Sequence, residues 1–204
     1  MILVQGLADG LASQGEGEED LQLAREASAY HLKLSEAVLR QTPAHLALAE
    51  SVTAGFTQYA YAFVAQQADE LAARDVRAAR RQRERAARLY WRAQQHAMRA
   101  LELRQPGFAA ALAAGKPELS SEAVGLAYWA AASWGAHIAL SKDQPDKVAD
   151  LPQVLLLARL AWQRQPDYAA GSLSSLRGTL EAARPGGSLG EAQALFDRDR
   201  KSVV

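Results

Sequence analysis

The sequence predicts an all-α protein, and three observations support this class. Alanine dominates the apolar residues while valine and isoleucine are scarce and aromatic residues make up 7%, so the residue types that favour strands are largely missing. Apolar residues recur at helical spacing in nearly every segment. Capping and helix-ending residues stand between these segments. With 204 residues, 49% of them hydrophobic, the chain is long enough for one sizeable core, so we expect a single helical domain over residues 1–204.

Five apolar stripes at steps of three and four mark five helices in chain order. The stripes are Ala27, His31, Leu34 and Val38; Ala49, Val52, Phe56, Tyr59 and Phe63; Ala86, Tyr90, Ala93 and Ala97; Val124, Tyr128, Ala131, Gly135 and Ile138; Leu151, Leu155, Ala158 and Trp162. Each stripe needs a neighbouring element to cover it. Together with the shorter segments between them, they predict about eight or nine helices.

Local signals predict where helices begin and end. Thr42 places a capping hydroxyl before Pro43, which predicts a helix start there. Ser188 and Glu191 have the spacing of a capping box and predict the start of the last helix. Gly115 and the pair 186–187 can adopt the left-handed conformation that ends a helix.

Three similar corners suggest that the helices repeat. The sequence reads LRQTP at 39–43, LRQP at 103–106 and QRQP at 163–166, and the three prolines lie 63 and then 60 residues apart. This distance is roughly two units of the ~34-residue tetratricopeptide (TPR) period. We therefore predict a TPR-like array of antiparallel helical hairpins, an α-α superhelix with a concave binding face. An irregular helical bundle is the alternative.

Charge and composition argue against several functions. Lysine plus arginine equals aspartate plus glutamate at 23 each, so no overall field would attract nucleic acid. Cysteine is absent, and the four histidines lack the spacing of a helical zinc site. Neither a nucleophile elbow nor a phosphate-binding glycine loop occurs. We expect no enzyme activity, no metal and no cofactor.

Two clusters of residue type remain as candidate functional features. Arginines recur through residues 74–92, interrupted by acidic residues, which indicates a solvated helix with internal ion pairs or, alternatively, a surface for an anionic partner. Aromatic rings lie in the middles of predicted helices among alanines. Such rings either fill the space between layers or line a cavity, and we expect at least one apolar cleft with tyrosine hydroxyls at its edge.

Several segments resemble signatures of the TRAP-transporter T-component family. These are GFTQYAYAFV at 55–64, RAARLYWRA at 85–93 and LAYWAAASWG at 126–135, and they occur in the family's order. Residues 141–143, 148–152 and 165–171 continue the similarity, which covers about Leu7 to Phe196.

The resemblance implies a periplasmic lipoprotein of TPR-like hairpins that self-associates, with a trimer suspected, and that engages the solute-binding protein of a TRAP system. It would hold or relay a small apolar or carboxylated ligand through a cleft or pore, with no covalent step. By analogy the aromatic motifs line the cleft, and Lys142 and Asp143 form its polar edge. The candidate ligand-binding residues are Phe56, Tyr59, Tyr61, Phe63, Tyr90, Tyr128, Trp129, Trp134, Lys142 and Asp143.

Two departures from the family pattern qualify this picture. The lipid-bearing cysteine is missing, so membrane attachment is implied only for a longer precursor that carries the signal and lipobox region. The C-terminus also comes early, which predicts a truncation that leaves the helix after Ser188 without its partner helix. The alternative function is a cytoplasmic TPR-type scaffold that binds a peptide segment of a partner protein, with the arginines as a carboxylate clamp.

Overall fold

The described part of the chain is helical. A computed structural model describes residues 7–8, 19–184 and 186–202, and within these residues it contains no strand, which confirms the all-α prediction. The α-helices are α1 (Leu21–Gln41), α2 (Leu46–Tyr59), α3 (Gln66–Ala72), α4 (Val76–Arg104), α5 (Phe108–Ala113), α6 (Val124–Ala139), α7 (Pro145–Val148), α8 (Leu151–Arg164), α9 (Ser172–Ala183) and α10 (Leu189–Ser202). A π-helical turn (Ala60–Ala65) joins α2 to α3, and 3₁₀ turns (Ser121–Ala123 and Tyr168–Gly171) precede α6 and α9.

The long helices pack in chain order. Helix α1 packs on α2, α2 and α3 pack on α4, α4 packs on α6, and α6 packs on α8, followed by α9 and α10. Helix α2 also contacts α6 directly, so α2 has α1 on one side and α6 on another. This order is compatible with a stack of hairpins, and the TPR-like superhelix stays a prediction.

Alanine makes close helix packing possible in the core. The second and third predicted stripes are buried, from Val52 and Phe56 on α2 to Tyr90 and Ala93 on α4, except that Phe63 is half-buried. The first stripe is wrong, since Val38 is its only buried member. The buried residues of helix α1 are instead Leu32, Ser35, Glu36, Val38 and Leu39. The reason is that Ala27 and His31 face an open cleft instead of a neighbouring helix.

The predicted helix start at Thr42 is wrong. The hydroxyl of Thr42 donates to the carbonyl of Val38 at 3.0 Å, so this residue ends α1. The next helix begins at Leu46, and Nδ1 of His45 accepts the backbone N–H of Leu48 at 3.0 Å. A threonine hydroxyl can serve either a preceding carbonyl or a following amide, and here the preceding turn takes it.

The other predicted boundaries hold in part. Gly115 and Gly186 adopt left-handed conformations, with φ of 74° and 72°. Ser188 Oγ accepts the N–H of Glu191 at 3.2 Å, which is the first half of the predicted capping box. The second half is absent because the N–H of Ser188 donates to Glu181 Oε1 at 2.8 Å. Helix α10 buries Ala192 and Leu195 and packs on α9, whereas Leu189 at its start is 78% exposed, so its predicted apolar stripe is covered only in part.

Candidate functional site: a cleft between three helices

An open cleft of about 720 Å³ lies along the face of α2. Helix α2 and the π turn form its floor, α1 forms one wall, and a single ring from α6, Trp129, lies on the opposite side. The residues that line it are Ala24, Ala27, Ser28, His31, Leu32, Ser35, Ala47, Glu50, Ser51, Ala54, Gly55, Gln58, Tyr59, Ala62, Phe63 and Trp129. This volume is in the range of small-molecule binding sites.

Small residues create the space, and aromatic rings border it. The floor carries alanine at Ala47, Ala54 and Ala62, which leaves space above it. At Gly55 the side chain of Leu32 from α1 packs on the floor, because a Cβ there would lie 2.4 Å from Leu32 Cδ2. Tyr59 and Phe63, one turn apart, lie with ring centroids 5.3 Å from each other. Phe63 belongs to the π turn, which widens the helix at this point. On the same turn Tyr61 is 62% exposed and does not line the cleft.

Glu50 is the one carboxylate among the described residues of the cleft lining. Its Oε1 accepts the hydroxyl proton of Tyr168 at 2.9 Å, a contact between residues 118 positions apart. Gly125 of α6 makes room for it, because a Cβ at that position would lie 2.1 Å from Oε1. Glu50 has no ion pair with any lysine, arginine or histidine in the part of the chain that the structure describes.

The surroundings of Glu50 change its acidity. Burial raises the pKa of Glu50 above its ordinary value, and the hydrogen bond from Tyr168 opposes that rise without cancelling it. Burial, together with the negative charge of Glu50, raises the pKa of Tyr168 as well, so the tyrosine stays the proton donor. The pair therefore gives the cleft one acidic end.

The turn that carries Tyr168 is unusual. Ala169 and Ala170, which follow it, have φ of 48° and 54° in the left-handed region, and Gly171 has φ of 94°. Alanine rarely adopts this conformation because its Cβ approaches the carbonyl oxygen. The turn directs the ring of Tyr168 toward α6, where its centroid lies 5.4 Å from that of Tyr128.

A second carboxylate, Glu36 on α1, lies in a contrasting environment. Its side chain is 3% exposed, and it accepts hydrogen bonds from Arg92 on α4, from Lys33 at 2.6 Å and from His96 at 2.8 Å. Phe56 packs beneath this group, with the Arg92 guanidinium carbon 4.9 Å from its ring centroid. Burial alone would raise the pKa of Glu36, but the bonds from Arg92, Lys33 and His96 outweigh it and lower the pKa to about 2.

The pKa of His96, the third partner of Glu36, is lowered in this cluster. Burial lowers the pKa of His96, while the hydrogen bond to Glu36 acts in the opposite direction. The positive charge that neutralises Glu36 therefore comes mainly from Arg92 and Lys33. We interpret the cluster as a clamp between α1 and α4.

Comparison with known proteins agrees with this architecture. The TRAP transporter T-component family matches residues 17–203. The chain belongs to this family. An uncharacterized protein of Treponema pallidum (strain Nichols) is 29% identical over 194 residues, which cover 88% of this chain and 59% of the relative. The chain thus spans about three fifths of the length of that relative. The resemblance predicted from the aromatic segments is confirmed, and the family is one of transporter components, not of enzymes.

Three of the ten predicted site residues of this T-component chain line the cleft. They are Tyr59, Phe63 and Trp129. Tyr128 lies beside them, with its ring centroid 4.9 Å from that of Trp129, but behind the lining. Glu50 and Tyr168 were not among the predicted residues, and an isolated glutamate on a helix offers no sequence signal for burial.

The other predicted site residues lie elsewhere. Phe56 belongs to the clamp of Glu36. Tyr90 is buried in the core, and burial raises its pKa to about 12. Trp134 is also buried, and its indole N–H has no partner among the described residues. Lys142 and Asp143 are exposed in the turn after α6 and do not line the cleft.

Two arginines of the arginine-rich segment form ion pairs within the chain. Arg80 pairs with Glu84 at 2.9 Å and Arg83 with Asp69 at 3.4 Å. Among the described residues, no three histidine, aspartate or glutamate side chains are grouped so as to hold a metal ion. None of the described helices combines the length and apolar character needed to cross a membrane.

Proposed function

We propose that this chain is a periplasmic accessory component of a TRAP-type transport system that associates with the solute-binding protein and holds or relays a small organic ligand. The observation that carries the proposal is the cleft over α2, found in a chain of the T-component family. A cleft with a small-residue floor, three rings and one polar end has the features of a reversible ligand site.

The proposed mechanism is binding and release without a covalent step. A ligand passes from one protein to the other according to its relative affinity for the two and to the access that each provides. The sequence predicts an apolar or carboxylated ligand. The lining supports the apolar expectation, because five alanines and the rings of Tyr59, Phe63 and Trp129 make up half of the lining residues.

Filling the cleft tests this proposal. Ala54 lies on the floor, so Ala54→Phe places a ring where the ligand is proposed to lie. Ala113→Phe adds the same ring at an exposed position outside the cleft and serves as the matched control. We expect transfer of ligand to or from the cognate solute-binding protein to fall at least about tenfold with the first variant, as expected for a loss of about 1.4 kcal/mol in binding, and to stay unchanged with the second.

Association with the receptor is measured separately. The purified chain and the cognate solute-binding protein should form a complex by light scattering or calorimetry, because inter-protein transfer needs contact between them. Absence of a complex at micromolar concentrations, or equal transfer by both phenylalanine variants, would refute the proposal.

Localisation and assembly complete the proposal. We place the protein in the periplasm, attached through a lipid anchor of a longer precursor, and expect a homotrimer. Light scattering of the purified chain gives its subunit number, and cell fractionation of the full reading frame gives its location. The alternative, a cytoplasmic peptide-binding scaffold, has less support because the arginines proposed as its clamp include Arg80 and Arg83, which pair within the chain.

A further inference from the structure

The charges that line the cleft are unbalanced. Glu50 is the acid of the lining, His31 is the one imidazole among the described lining residues, with its Nε2 3.2 Å from Ser35 Oγ, and none of those residues is a lysine or arginine. Outside the lining, the guanidinium carbon of Arg85 lies 6.0 Å from the ring centroid of Tyr59. The polar remainder, which includes Ser51 and Gln58, can hydrogen-bond a ligand of any charge and so does not decide its class. The fixed charges of the site therefore favour a positive ligand over a negative one.

Glu50 retains unused acceptor capacity. A carboxylate offers roughly four lone-pair directions, and Tyr168 uses one of them on Oε1. Gly125 leaves room for the carboxylate but supplies no side-chain donor. A ligand that brings a charged N–H or a quaternary nitrogen would supply the missing partner.

An aromatic ring from α6 lies beside the hydrogen-bond partner of this carboxylate, because the Trp129 side chain is hydrogen-bonded to Tyr168, whose hydroxyl donates to Glu50. Trp129 follows Gly125 by one helical turn on α6, a rise of about 6 Å, and both Trp129 and Glu50 line the cleft. The faces of tryptophan rings attract organic cations, most strongly when water is excluded. Tyr59 and Phe63 lie farther along the floor, where they can cover the apolar body of a ligand.

We infer that the cleft takes a small organic cation, whose positively charged nitrogen lies between Glu50 and the ring of Trp129 and whose apolar part lies along Tyr59 and Phe63. This inference rests on the proposed ligand-holding function and specifies the chemical class of the ligand. It goes against a carboxylated ligand, which would meet Glu50 without a compensating cation.

A matched series of probes tests the charge preference. The probes are 2-phenylethylammonium, 2-phenylethanol and 3-phenylpropionate, which share a ring and differ in the charge of the end group. Calorimetry on the whole chain should give the ammonium compound an affinity about tenfold higher than the alcohol, with the carboxylate weakest. Equal or tighter binding of the carboxylate, or no binding of the ammonium compound at millimolar concentration, would overturn the inference.

Two variants locate the effect. Glu50→Gln keeps the size of the side chain and should reduce the preference for ammonium over alcohol to less than about twofold, while Trp129→Leu should lower it in part. Glu84→Gln, which removes an exposed carboxylate outside the cleft, is the matched control and should leave the preference unchanged. An unchanged preference in Glu50→Gln would overturn the inference even if Trp129→Leu proved unstable.

The outcomes separate this inference from the proposed function. If Ala54→Phe abolishes binding of all three probes but the wild-type chain shows no preference for the cation, the cleft is a ligand site and the inferred class is wrong. If Ala54→Phe changes no affinity, the cleft itself is not the site and both proposals fail.

Discussion

Glu36 and Glu50 lie on neighbouring helices, and their surroundings shift the pKa values of the two carboxyl groups in opposite directions. Glu36 is surrounded by Arg92, Lys33 and His96, and its pKa is lowered to about 2. Among the residues that the structure describes, Glu50 has one hydrogen-bond partner, the Tyr168 hydroxyl, and its pKa is raised. A buried carboxylate that joins helices needs a cation from its own chain, because removing charge from water is costly. The carboxylate in the cleft lacks that cation, which is the basis for assigning it to a ligand.

The largest expected effect comes from removing the charge of Glu36. Glu36→Gln should lower the free energy of unfolding by about 2–3 kcal/mol, because Arg92 and Lys33 lose a charged partner. Urea denaturation measures the loss. Glu84→Gln, which removes an exposed ion pair with Arg80, is the control and should cost less than about 0.5 kcal/mol. Similar losses in the two variants would contradict the clamp.

The contribution of Glu36 to the free energy of unfolding should also depend on pH. Its pKa is lower in the folded chain than its ordinary value of 4.5, so its stabilising contribution is complete above that value and is lost as pH falls toward about 2. The difference in unfolding free energy between wild type and Glu36→Gln should therefore shrink through this window. A difference that stays constant down to pH 3 would contradict the prediction.

A smaller effect is expected where α6 meets Glu50. Gly125→Ala places a Cβ against the carboxyl group, and should cost about 1–2 kcal/mol through overpacking and loss of the Tyr168 hydrogen bond. The double variant Gly125→Ala with Glu50→Ala removes the clash. It should be more stable than the sum of the single effects predicts, by about 1 kcal/mol in a denaturation cycle. Strict additivity would show that the two residues do not meet.

The smallest effect, of opposite sign to that of Glu36, is expected for Glu50→Gln. The pKa of Glu50 is raised in the folded chain, so its contribution to stability is present below the ordinary value of 4.5 and is lost as pH rises through the folded pKa. At pH 8 the glutamine variant should match or exceed the wild type by up to about 1 kcal/mol, since Tyr168 can still donate to an amide oxygen. Thermal unfolding of both proteins at pH 5 and pH 8 measures the stability of Glu50→Gln relative to the wild type. A variant that loses more stability relative to the wild type at pH 8 than at pH 5 would contradict the prediction.

Periodicity and composition were sufficient to predict much of the fold. The stripes on α2 and α4 are buried because these helices have neighbours on more than one side. The stripe on α1 failed because a helix that borders a cleft can keep alanine and histidine open to solvent. The prediction of a helix start at Thr42 was wrong for a local reason. A threonine hydroxyl can bond either a preceding carbonyl or a following amide, and the sequence alone does not show which of the two it takes.

The cleft was only partly predictable. Aromatic motifs predicted Tyr59, Phe63 and Trp129, because rings among small residues border space wherever the floor is alanine. Glu50 could not be predicted, since its environment depends on Gly125 and Tyr168, which lie far away in the chain. Sequence patterns of three and four residues carry no information about contacts across 118 positions.

The left-handed pair Ala169 and Ala170 lies between the C-terminal helices and the cleft, because it follows Tyr168, whose hydroxyl donates to Glu50. Holding alanine in this conformation costs about 1–2 kcal/mol per residue, so the backbone of the turn between α8 and α9 is strained. The acidic end of the cleft therefore depends on a strained turn that is held by its contacts with α9 and α10.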